Sequence, residues 1–145
     1  DARASRFGGS TSTAHGRRYA EQVVEALETG LYRYLAHPDL FMRSYPEFDT
    51  HCTSISRHIC RAAARLNIPL EYNVGYMATN EARGIMTYPC PQFWHIAANE
   101  GCTAIIGLDA HNNLDLENPV YYDRACKELK ELKMPVIDTI PFLEY

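Results

Sequence analysis

Two short segments of this chain place an imidazole and a carboxylate at a spacing that suits metal coordination. In Ile105-Ile106-Gly107-Leu108-Asp109-Ala110-His111 an apolar run leads straight into an Asp-x-His pair. A short apolar run ahead of polar residues reads as a buried strand ending in a loop. Residues two apart on an extended backbone point the same way, so Asp109 and His111 aim at one point. Tyr34-Leu35-Ala36-His37-Pro38-Asp39 has the same grammar. Imidazole with carboxylate is a donor set for Zn, Mn or Fe. His37, Asp109 and His111 are therefore the candidate metal ligands. Asp109 and His111 are also the candidate catalytic groups of a metal-dependent hydrolysis. Asp39 is a candidate acceptor for orienting an imidazole.

Four further residues are candidates for substrate binding. Arg43 and Arg83 lie in two long loops, and a guanidinium forks onto phosphate oxygens while staying charged. Glu71 and Asn73 end the segment Pro69-Leu70-Glu71-Tyr72-Asn73-Val74, which reads as a strand. They are placed either to touch substrate or a metal-bound water, or to anchor a loop. The aromatic residues Phe41, Tyr45, Tyr72, Tyr76 and Trp94 read as core packing, or as the wall of a pocket for a ring. His51 and His58, seven apart, read as surface or core-edge residues of one helix.

The elements that must position these groups alternate in type. Apolar periodicity predicts helices over 17–29, 49–66, 91–100 and 121–132, and strands over 31–36, 69–74, 103–108 and 136–137. Gly30, Asn67 and Gly101 stand where helices stop. Residues 39–48, 75–90 and 112–118 read as loops, and 1–16 as a loop or disordered lead-in to a domain over 17–145. Strands alternating with helices mean parallel β/α units, an α/β fold with its chemistry at the carboxyl ends of the strands. Four strands are too few for a closed barrel of the eightfold type, which takes roughly 200–250 residues. The chain thus reads as a small open domain or as the carboxyl half of a larger barrel, and the thin ligand set favours the second.

Composition narrows the class. At 145 residues and 46% hydrophobic, one core is expected. A net charge of −4 gives no general drive toward nucleic acid or an anionic membrane. No apolar run approaches the ~20 residues of a membrane span. The five cysteines form no C-x-x-C pair, which predicts buried free thiols in a reducing cytoplasm. The polar start lacks the apolar stretch of a signal peptide, and its opening at Asp1 without a Met suggests that the chain is trimmed or that earlier residues are missing.

Taken in order, Gly30-Leu31-x-x-Tyr34-Leu35-Ala36-His37-Pro38-Asp39-Leu40-Phe41, Ile68-Pro69-Leu70-Glu71-Tyr72-Asn73, Tyr88-Pro89-x-Pro91-x-Phe93-Trp94 and Gly107-x-Asp109-Ala110-His111 resemble the histidinol-phosphatase family. That family belongs to the polymerase-and-histidinol-phosphatase (PHP) superfamily, and the resemblance runs over about residues 20–142. It implies parallel β/α units forming part of a distorted sevenfold (β/α) PHP-type barrel. It also implies two or three divalent metal ions, and hydrolysis of L-histidinol phosphate to L-histidinol and phosphate in histidine biosynthesis. His37, Asp109 and His111 match the ligand motifs. The family's other ligands include an amino-terminal His-x-His strand, which this chain lacks, its one histidine before His37 being His15. The expected partners are a small phosphate monoester and either the amino-terminal half of the barrel or another chain covering that surface. The alternative is a non-catalytic module that keeps the fold. A nuclease-like role is disfavoured by the acidic balance and the absence of a Lys/Arg stripe.

Overall fold

Residues 13–117 and 119–141 are described by a computed structural model of the chain. The helices are α1 (Thr13–Glu28), α2 (Thr50–Leu66), α3 (Met77–Arg83), α4 (Pro91–Asn99), α5 (Asn113–Glu117) and α6 (Val120–Glu131). The strands are β1 (Leu70–Asn73) and β2 (Ala104–Gly107), and a 3-10 turn spans Leu40–Ser44.

Local chemistry explains the best-defined helix. In α2 the residues Ile55, Ile59, Ala62 and Ala63 recur at helical spacing and are all buried. Asp49 caps its start by accepting from the Cys52 N–H at 2.9 Å. Asn67 ends it in the left-handed conformation, φ 53°, with its N–H turned back to the carbonyls of Ala63 and Ala64.

β1 and β2 pair in parallel, Leu70 beside Ala104 through Asn73 beside Gly107. The outer strands expected over 31–36 and 136–137 shrink to single parallel bridges, Leu35 with Leu70 and Val136 with Ala104. Leu35 makes both of its ladder bonds, to Pro69 O and from Glu71 N. Pro38 and the positive φ of His37 then bend the chain off the sheet. The four positions run 35, 70, 104, 136 across the sheet, with every neighbour parallel and no reversal of order. Such an order is what successive β/α units produce.

Other expectations need correction. The segment 75–90 is no continuous loop: it holds α3, which ends at Gly84 with φ 60°. The segment 112–118 holds α5, whose start is a capping box: Asp115 N–H donates to Asn112 Oδ1, and the Asn112 and His111 N–H groups donate to Asp115 Oδ2. The loop 39–48 contains the 3-10 turn, which buries Phe41 and Met42. α1 begins at Thr13, inside the segment expected as a lead-in, and residues 1–12 lie outside the described ones.

The core lies where β1 meets the helices. Tyr72 packs against Trp94 of α4 with ring centroids 4.8 Å apart, and its hydroxyl donates to Glu128 of α6. Phe93, Trp94, Ile59, Leu70 and Leu129 are fully enclosed. Cys52, Cys60, Cys90 and Cys102 are buried and Cys126 is exposed, all as free thiols. Among the described residues no helix is long and apolar enough to cross a membrane.

Candidate functional site

The period of two along β1 separates its side chains. Tyr72 faces α4 and α6, so Glu71 and Asn73 face the opposite side of the sheet. Asn73 is buried, Glu71 half-buried, and Asn73 Nδ2 donates to Glu71 Oε2 at 3.3 Å. The same carboxylate oxygen accepts the backbone N–H of His37 at 2.9 Å. Asn73 Oδ1 accepts from the Gly75 N–H at 3.0 Å. Glu71 and Asn73 thus tie together the chain leaving the Leu35 bridge and the chain leaving β1.

Two glycines let these groups close up. Glu71 lies across Gly107 of β2 so tightly that any Cβ there would overlap its carboxyl group. A Cβ on Gly75 would fall 2.8 Å from Cβ of Asp109, so Asp109 sits directly against this turn. We expect Gly107→Ala to destabilise the protein by about 1–3 kcal/mol through overpacking. Urea unfolding would record that loss. The proton spectrum should show the His37 amide released from Glu71.

His37 and Asp109 both hold positive φ, 30° and 49°, in the region disfavoured for residues with a side chain. Two such outliers at candidate ligand positions mark a strained, over-determined site. The half-buried His37 ring meets Tyr88 edge-on, with centroids 6.2 Å apart. Tyr88 stacks on Tyr76 at 4.7 Å and 13°. The Arg43 guanidinium carbon stands 5.4 Å from the centre of the Tyr76 ring. Burial raises the Tyr88 phenol pKa; the Arg43 charge opposes this and the Asp109 charge reinforces it, so both charges lie close enough to act on it.

His37, Arg43, Glu71, Asn73 and Asp109 therefore gather at the carboxyl end of the strands. His111 stands at the edge of this group. Its side chain is 80% exposed, with Nδ1 2.7 Å from the Asp109 carbonyl oxygen and 3.9 Å from Asp109 Oδ1. Arg83 is not brought in: it is exposed in the last turn of α3, and no hydrogen bond or ion pair among the described residues links it to the others. The donors are of the right type for a borderline divalent cation. Among the described residues, however, no three His, Cys, Asp or Glu side chains converge to hold one, so the set is partial.

Asp39 has another role than the one expected beside His37. It is 1% exposed and accepts the Cys90 N–H at 2.6 Å and the Trp94 Nε1–H at 3.1 Å. It is an internal brace, not an acceptor for an imidazole. The aromatic set also divides: Phe41, Tyr45, Tyr72 and Trp94 are core, while Tyr76 belongs to the site. Tyr88 went unassigned in the sequence. Its signal was the segment Tyr88-Pro89-x-Pro91, whose prolines stiffen a loop between two helices.

No family model and no curated protein matches the chain. Among solved structures it is similar to the histidinol phosphate phosphatase of Lactococcus lactis subsp. lactis, a complex with zinc, L-histidinol and phosphate. The TM-score is 0.64 at 17% sequence identity, over 94% of this chain and 52% of that one. The chain spans about half the length of the phosphatase it matches. At this identity the likeness is one of fold: a mixed helix and strand architecture on a parallel sheet, shared with a histidinol phosphate phosphatase.

Proposed function

We propose that this chain is part of a metal-dependent phosphate-monoester hydrolase, a histidinol phosphatase that converts L-histidinol phosphate to L-histidinol and phosphate. One observation carries the reading. His37, Arg43, Glu71, Asn73 and Asp109 gather at the carboxyl end of parallel strands, on a fold shared with a phosphatase that binds zinc, L-histidinol and phosphate.

The roles follow from what each side chain touches. His37, Asp109 and His111 supply part of the ligand set for divalent zinc, manganese or iron. Two or three such ions, when bound, acidify water and neutralise phosphoryl charge. Glu71 holds the His37 backbone, and with it the direction of the imidazole. Arg43 offers its fork to the phosphate oxygens. Asn73 keeps the Gly75 turn against Asp109. Arg83 is left out of this reading.

The strand order and the polar face carrying Glu71 and Asn73 suit a sector of a PHP-type barrel. The remaining β/α units would pair along the sheet edges at Leu35 and Val136, where Leu31, Tyr32 and Val136 are exposed. They would come from an amino-terminal part of the same protein or from another chain, and would bring the remaining ligands.

A second reading, a non-catalytic module that keeps the fold, is favoured by the absence of a three-donor group among the described residues. Elemental analysis of the full-length protein, with phosphate release from L-histidinol phosphate, separates the two. Bound metal together with phosphate release, and no cleavage of single-stranded DNA, is the expected result. A protein that is free of metal and releases no phosphate after zinc or manganese is added would overturn the first reading in favour of the second.

A further inference from the structure

The arginines of this chain are held in different ways. Arg61 pairs with Glu100, Arg65 with Glu28, and Arg124 with Glu81 and Glu128. Arg43 has no carboxylate partner among the described residues; its contact is the Tyr76 ring. The turn beneath it is fixed, because its neighbours Phe41 and Met42 are each 2% exposed. Only the long side chain retains freedom, and ordering such a chain on ligand binding costs entropy.

The ring that meets Arg43 is itself anchored. Tyr76 stacks on Tyr88. The Tyr88 carbonyl accepts from Asn80 Nδ2 at 3.0 Å, and Thr87 Oγ1 donates to Asn80 Oδ1 at 3.0 Å. Two residues on, the Cys90 N–H is bound by Asp39. The Tyr76 carbonyl in turn accepts the Asn80 N–H at 3.0 Å. A rigid frame therefore runs from Asp39 and Asn80 through Tyr88 to Tyr76, and ends on a guanidinium whose N–H donors are unclaimed among the described residues.

From this frame we infer that Tyr76 is a positioning residue for phosphate capture, holding the Arg43 fork at the strand ends before substrate arrives. The inference rests on the proposed reading of the site. A π face contributes a cation–π attraction without using any of the guanidinium N–H groups, so the fork stays open to an anion. A carboxylate in the same place would occupy the fork and cancel its charge.

The test uses the full-length protein, with inorganic phosphate as the probe. In the wild type the Arg43 Cδ protons should be shifted upfield by the Tyr76 ring current, and an unshifted resonance overturns the inference. Tyr76→Phe keeps the ring and should change phosphate affinity by less than about twofold, whereas Tyr76→Leu should weaken it about three- to tenfold. In turnover, Tyr76→Leu should raise KM by the same factor and leave kcat nearly unchanged, the mark of lost uniform binding. A purely structural defect would lower kcat or folded content instead. If Arg43→Ala loses phosphate binding while Tyr76→Leu keeps it, the positioning role is wrong and the reading of the site stands. If Arg43→Ala binds phosphate as well as the wild type, both are wrong.

Discussion

Replacing Asp39 by alanine is expected to destabilise the protein by about 3–5 kcal/mol, because two buried donors lose their acceptor. The Cys90 N–H and the Trp94 indole N–H both end on this one enclosed carboxylate. Cys90 and Trp94 are themselves buried, each 1% exposed. The drop should appear as a lower urea midpoint at an unchanged m-value. Asp39→Asn keeps a carbonyl acceptor and should cost less. The same site gives a pH signature. Burial, the largest influence, pushes the Asp39 pKa up to about 7, although its hydrogen bonds pull the other way. The unfolded chain releases that proton near the ordinary aspartate value of about 4. The folded state therefore binds the proton more tightly. Its contribution to stability is complete below about pH 4, declines as the pH rises to about 7, and is level above that. Asp39→Asn should flatten this part of the pH–stability curve. An unaltered slope in that variant would show that another group is responsible.

The largest effect on activity is expected at Asp109. On the proposed reading, removing this carboxylate from the full-length protein should lower phosphate release on the order of 10³-fold, the several kcal/mol that charge held by a bound metal would provide. The choice of replacement matters. Asp109 has φ 49°, where alanine is strained and asparagine is tolerated. Asp109→Asn thus removes the anionic donor and keeps the turn against Gly75, so its melting temperature should stay near that of the wild type. His37 also holds a positive φ, so His37→Asn is the matching change there; it should reduce turnover comparably and lower bound metal. Full turnover in both variants would refute the ligand assignment.

The parts of the fold that were legible in the sequence are those fixed by local chemistry. α2 shows an Asp49 cap, apolar residues at helical spacing, and Asn67 at its end. β1 alternates Leu70 and Tyr72 with the polar Glu71 and Asn73 after a proline, and β2 is a short apolar run that ends at Gly107. The placement of His37, Glu71, Asn73 and Asp109 near the strand ends was legible too, but not their contacts: Glu71 holds the His37 backbone, and no three His, Cys, Asp or Glu side chains among the described residues converge to hold a metal ion. α3 and α5 were missed, although Gly84 and the Asn112-x-x-Asp115 box carried their signatures; at seven and five residues they show too few turns for a periodic pattern. The outer strands were overstated, since pairing depends on a neighbour that no local sequence reveals. Asp39 was misplaced for the same reason: its partners are 51 and 55 residues away. Nothing in His37-Pro38-Asp39 distinguishes a carboxylate that orients an imidazole from one that braces a distant loop.

That brace constrains any attempt to re-engineer the molecule. The segment after the Leu35 bridge and the one before α4 are joined through Asp39, and the stack of Tyr76 on Tyr88 fastens Arg43 to the same assembly. Loop grafting at this end should therefore succeed only when 37–45 and 76–91 are transplanted together from one donor. Exchanging either alone would leave a stranded acid or an orphaned arginine.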